Sequence, residues 1–142
     1  MYVHDILRHK GRDVFTVDPG ATIQELAKAL MARKIGAAVV SDHDGAVVGV
    51  ISERDIIQCV AEHGAECLSC EVRELMTAAV ITCGPDTKID DVMGLMTERR
   101  IRHIPVLESG ALVGIVSIGD VVKDRIAEVE REASQLRQYI SA

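Results

Sequence analysis

The chain carries an internal repeat, and that repeat limits the folds open to it more than any other feature. Gly49-Val50-Ile51-Ser52-Glu53-Arg54-Asp55 returns as Gly114-Ile115-Val116-Ser117-Ile118-Gly119-Asp120, displaced by 65 positions. Upstream the displacement is 66, with Pro19, Ile23, Leu26, Leu30, Ile35, Val40 and Asp42 answered by Pro85, Ile89, Val92, Met96, Ile101, Val106 and Glu108. The single-residue change falls between Asp42 and Gly49, in a turn, where a duplicated fold best tolerates a change of length. Val3-His4-Asp5-Ile6-Leu7 also matches Val72-Arg73-Glu74-Leu75-Met76, so each copy is expected to open on a short helical turn.

Within each copy the periodicities give an order of elements. Val14 to Val17 and Val80 to Thr82 read as short strands, each followed by a Pro/Gly turn. Ile23, Leu26, Ala27 and Leu30, and then Ile89, Val92, Met93 and Met96, recur at helical spacing. Ala37 to Val40 and Ile104 to Leu107 read as buried strands that return through a turn into Val47 to Ile51 and Leu112 to Val116. A helix follows each serine. The expected fold is therefore α/β (α+β), a β-α-β-β-α unit occurring twice.

Bulk composition narrows the function classes. Apolar residues make up 48% of the chain and aromatic ones only 2%, so the core is aliphatic and offers no platform for stacking successive nucleic-acid bases. A formal charge of -6 argues against general affinity for a nucleic-acid backbone. No run approaches the roughly 18–20 apolar residues of a membrane span. The first residues lack a basic-then-apolar signal layout. Four cysteines in a chain of this kind do not read as a disulfide framework, so a thiol-reduced, cytoplasmic protein is the expectation.

This order, length and sequence resemble the CBS domain, the module named for cystathionine β-synthase. The resemblance runs from about Val3 to about Ile126. It rests on the two Gly-apolar-apolar-Ser-x-x-Asp motifs and on Arg102-His103-Ile104-Pro105-Val106. The stretches Ile101 to Leu107 and Val113 to Val122 are most similar to small free-standing CBS-pair proteins of bacteria and plant organelles. It implies a domain at 1–63, a linker at 64–71, a second domain at 72–127 and a helical extension at 128–142. It further implies a non-catalytic regulatory module, the two repeats packed with pseudo-two-fold symmetry. Its clefts between the repeats would hold AMP, ADP, ATP, NAD(H) or S-adenosylmethionine, with AMP and NAD(H) the leading expectations.

The motif residues suit such a ligand on chemical grounds. Ser52 and Asp55 stand where a strand ends and a helix begins, a position that favours negative charge. An ionised carboxylate only accepts hydrogen bonds, and a ribose diol offers two donors side by side. Arg54 and Arg102 carry planar forks that match phosphate oxygens. His103, beside Arg102, could meet a phosphate or bond a neighbouring backbone group. Ala37-Ala38 and Ile104-Pro105 are small apolar candidates for an adenine wall, and Thr16, Thr82, Ser117 and Asp120 complete the candidate set. The competing reading is structural: Ser-x-x-Asp at a helix start is close to a capping box. The copies also differ, with Arg54 in the first motif and Arg102-His103 only in the second copy, so two unlike sites are expected.

Two features fall outside the resemblance. Cys59, His63, Cys67 and Cys70 have a spacing open to zinc or thiol chemistry, an alternative that the resemblance does not require. No Walker A sequence, dinucleotide fingerprint or nucleophile–base pairing points to an enzyme. The C-terminal Val122, Ile126, Val129, Ala133, Leu136 and Ile140 form a heptad-like stripe, which suggests a homodimer contact, or at the least a structural dimerisation role. The sequence names no regulated protein partner.

Overall fold

The computed structural model describes residues 1–141. The chain runs α1 (Val3–Lys10), β1 (Thr16–Val17), α2 (Ile23–Arg33), β2 (Ala37–Ser41), β3 (Val47–Ser52), α3 (Glu53–His63), a 3-10 turn (Gly64–Ser69), α4 (Val72–Leu75), α5 (Ile89–Arg99), β4 (His103–Glu108), β5 (Ala111–Ser117) and α6 (Ile118–Ser141). The mixed α/β architecture read from the repeat is thus present, with a long C-terminal helix.

The compact units do not follow the chain order of the repeats. One unit, called here the first, is chiefly Asp13–Ile81; the second gathers Met1–Arg12 with Thr82–Ser109 and the chain from Val113 onward. The short helix that precedes each copy therefore packs on the body of the other copy. In the second unit the N–H groups of Val3 and His4 donate to the carbonyls of Thr87 and Pro85, and Ile89 N–H donates to Met1. In the first unit the same clip recurs at α4: Val72 and Arg73 donate to Ala21 and Pro19, and Ile23 donates to Cys70.

Each motif glycine has its reason in this exchange. A Cβ built on Gly114 would lie 2.6 Å from Leu7 Cδ2, and one built on Gly49 would lie 2.5 Å from Met76 Sδ. Only glycine lets the strand pass so close to the side chain of the incoming helix. The two cores are aliphatic. Ile23, Leu26, Ile51, Cys67 and Val72 anchor the first, and Val3, Leu7, Val92, Ile104, Val116 and Val121 anchor the second. Among the described residues no polar or charged residue is fully buried.

The repeat shows again in the turns. α2 and α5 both end on a non-glycine residue in the left-handed conformation, Lys34 at φ 55° and Arg100 at φ 54°. Ile35 and Ile101 then donate back to Leu30 and Met96, closing both helices the same way. The length change sits in the hairpins, as expected. Ser109 and Gly110, at φ 52° and 81°, form a two-residue turn between β4 and β5. The first copy uses a longer loop closed by Asp42, whose Oδ1 accepts from Asp44 and Ala46, with a register shift at Val40/Ser41.

One expectation needs correction. The strand expected at Val80 to Thr82 is reduced to one parallel bridge, Cys83 to Val106; Cys83 N–H donates to Pro105 and its carbonyl accepts from Leu107. Two strands, β4 and β5, form the sheet there, against β1-β2-β3 in the first unit. The segment read as a linker, 64–71, holds the 3-10 turn, whose Cys67 is fully buried in the first core.

Candidate functional site

Each serine ends a strand and starts a helix, and the junction is built alike in both units. The carbonyl of Gly36 accepts from Glu53 N–H at 2.9 Å, and that of Arg102 accepts from Ile118 N–H at 2.8 Å. These bonds hold the residue before the buried strand against the first turn of the helix.

The capping arrangement foreseen as the competing reading is real. In the first unit Asp55 Oδ2 accepts from Ser52 N–H at 2.8 Å and from Ser52 Oγ–H at 3.2 Å. In the second unit Asp120 Oδ2 accepts from Ser117 N–H at 2.8 Å and Oγ–H at 2.9 Å, and Asp120 N–H donates to Ser117 Oγ at 3.2 Å. Yet a cap does not require the hydroxyl. Tyr2 N–H donates to Asp5 at the start of α1, and Glu71 N–H donates to Glu74 at the start of α4. The acid three residues into the helix satisfies the orphan N–H unaided there. In both motifs the cap engages Oδ2, and among the described residues no hydrogen bond engages Oδ1.

The other expected residues fall into three groups. Arg54 and Arg102 are exposed beside their motifs, and neither forms an ion pair among the described residues. Thr16 and Thr82 are exposed, Thr16 in β1 and Thr82 just before the bridge at Cys83. His103 opens β4, half-buried. Ala38 and Ile104 are 0% exposed and belong to the two cores, and Pro105 is buried.

One participant was missed by sequence reasoning. Lys10, in the last turn of α1, places Nζ 2.6 Å from Asp120 Oδ2 and 2.8 Å from the carbonyl of Ile115. Lys10 and Asp120 stand 110 positions apart, and only the exchange of α1 onto the second repeat brings them together. The first unit has no equivalent, because α4 stops at Leu75 and the chain turns extended at Met76. A cavity of about 460 Å³ opens beside Asp55, lined also by Cys59, Glu62, Glu66, Cys70 and Glu74. Its carboxylates repel anions, so it is no phosphate pocket.

The zinc alternative at Cys59, His63, Cys67 and Cys70 is not assembled. Among the described residues no three side chains of His, Cys, Asp or Glu converge as a metal site. Cys67 points into the core, while His63 is exposed at the end of α3 beside Glu62. Hydrogen bonding to Cys67, then burial, pushes the Cys59 thiol up to about 11, and burial raises Cys70.

Asp120 titrates in the opposite sense. Burial alone would raise it, but the Lys10 ammonium and the Ser117 donors outweigh burial and hold it below the ordinary aspartate value. A carboxyl lowered on folding contributes stability that is present above its unfolded pKa, about 3.9, and is lost as pH falls through the folded value. We expect Asp120→Asn to cost about 1–2 kcal/mol at neutral pH, with the deficit shrinking in strong acid. Urea unfolding at pH 7 and at pH 3 checks this; a deficit equal at both would contradict it.

Comparison with known proteins completes the picture. The CBS-domain family matches residues 3–62 and 72–126. The mitochondrial CBS domain-containing protein CBSX3 of Arabidopsis thaliana is 34% identical over 97% of this chain and 71% of its own length. A CBS-domain-containing protein of Agrobacterium tumefaciens has a crystal structure with TM-score 0.86 and 50% identity, covering 87% of this chain and 92% of that one. The CBS domain pair of protein MJ0100, solved with 5′-methylthioadenosine and S-adenosyl-L-methionine, superposes at TM-score 0.81 with 29% identity, covering 90% and 98%. No described helix is long and apolar enough to cross a membrane. With both repeats matched, this chain belongs to the CBS-domain family, as a tandem pair.

Proposed function

We propose that this chain is a regulatory module that binds an adenine nucleotide at its Ser-x-x-Asp junctions, with AMP or NAD(H) the leading candidates. The observation that carries the reading is the uncommitted Oδ1 of Asp55, on a carboxylate already oriented by its cap. Such an oxygen accepts from a ribose diol without disturbing the helix start. Arg54 beside it, and Arg102 in the second unit, then meet phosphate oxygens. The MJ0100 pair supports the adenosyl part of this reading, since its bound molecules share an adenosyl group joined to sulfur at the 5′ carbon and differ in what the sulfur carries. Binding acts on a partner by favouring one arrangement of the module over another, by no more than its differential affinity for the two.

α6 gives the module its means of assembly. Val122, Ile126, Val129, Leu136 and Ile140 are 48% to 75% exposed along one stripe. With half-buried Ala133 between Val129 and Leu136, their spacing alternates fours and threes and matches the seam of a two-stranded coiled coil, and acidic and basic residues flank it. A second copy of this chain, with the same stripe, is the occupant that fits. Light scattering is expected to give about twice the 15.4 kDa chain mass, and Leu136→Lys to return it to the monomer; a monomeric wild type would overturn the dimer.

Thermal unfolding with AMP, ADP, ATP, NAD+, NADH and S-adenosylmethionine tests the binding reading. A true ligand at a hundredfold excess over its Kd adds about 2.7 kcal/mol and raises the midpoint by several degrees. Asp55→Ala is expected to diminish that rise. If none of the six raises the midpoint, or Asp55→Ala responds as wild type does, the reading fails.

A further inference from the structure

We infer that Lys10 makes the Asp120 site selective for phosphate-bearing nucleotides over the uncharged nucleoside, a step that rests on the nucleotide-binding reading above. The two junctions share a design but not a charge. At the first, Asp55 has no cation within ion-pair distance among the described residues, and the Glu53 carboxylate lies against Gly36, 3.4 Å from where its Cβ would be. Arg54 is the one cation within that motif. At the second, apolar Ile118 replaces Glu53, Arg102 is exposed, and Lys10 sits directly on the carboxylate. The first junction is therefore net acidic and the second net basic.

The hydrogen-bond inventory sharpens this difference. Asp120 Oδ2 receives three donors, from Lys10 Nζ, Ser117 N–H and Ser117 Oγ–H, and a carboxylate oxygen offers about two lone pairs. Oδ2 of Asp120 is thus filled, and a ribose diol takes the uncommitted Oδ1 there, as it does at Asp55, with Lys10 still held on the carboxylate. An uncharged nucleoside gains nothing from that ammonium. A nucleotide brings its own anion, and Lys10, on a flexible four-carbon stem, stands with Arg102 to meet the 5′-phosphate through charge-assisted contacts. At Asp55 no such cation is held on the carboxylate among the described residues, and Glu53 opposes the anion. One chain thus presents an adenosine-tolerant junction and a phosphate-preferring one.

The test uses the full chain carrying Asp55→Ala, so that the second junction is read alone, titrated by calorimetry with AMP and with adenosine. With Lys10 present, AMP is expected to bind at least about tenfold more tightly than adenosine, a difference of about 1.4 kcal/mol. Adding Lys10→Met should collapse that ratio by weakening AMP, while Lys10→Arg should keep it. A ratio unchanged by Lys10→Met, or no AMP binding to Asp55→Ala when wild type binds AMP, overturns the inference and leaves the nucleotide reading intact. Failure of wild type to bind any adenosyl compound, with Asp55→Ala/Lys10→Met also silent, sinks both.

Discussion

The contact on which the rest of the molecule depends is the docking of each short leading helix on the body of the other repeat. It needs a glycine in the strand, because Gly49 and Gly114 face Met76 and Leu7 at distances no Cβ could share. It needs three backbone hydrogen bonds at each helix start, which replace the missing partners of the exposed N–H groups. The docked apolar face supplies part of each core: Val3, Ile6 and Leu7 in the second unit, Val72 in the first. That burial, and not the propensity of a four-residue helix, is what stabilises α4. The same docking delivers Lys10 to Asp120.

The proposed ribose contact and the observed cap do not conflict at the strand-to-helix junction. A cap needs one carboxylate oxygen and a diol can use the other, so capping and the proposed binding are compatible uses of one side chain. The serine hydroxyl is dispensable for capping, as the starts of α1 and α4 show. It is therefore free to turn from Asp55 toward a ligand at the cost of a 3.2 Å bond.

Much of this was legible in the sequence because a duplicated chain supplies its own control. Residues that recur, such as the glycine, serine and aspartate of the motif, stand out from neighbours that do not. The helices α2 and α5 and the hairpins follow from apolar periods that local geometry obeys. Other features were hidden for physical reasons. The Lys10–Asp120 pair arises from exchange between repeats, which no local pattern encodes. The strand at Val80 to Thr82 has the right residue types, but one bridge at Cys83 is all that its path against β4 allows. Cys67 stood in a polar-looking stretch, where spacing suggested a ligand and burial made it a core residue. Ala38 and Ile104 likewise face the cores, which periodicity in a fully buried strand does not reveal.

The proposed nucleotide sites are these two junctions, and not the acidic cavity beside α3. An amide-resolved NMR titration of the full chain with AMP distinguishes them. Saturable shifts are expected at Ser52 to Asp55 and at Ser117 to Asp120, with Lys10 and Arg102 responding alongside the second motif. Shifts confined to the lining of the cavity, around Cys59, Glu62 and Glu66, would contradict this assignment.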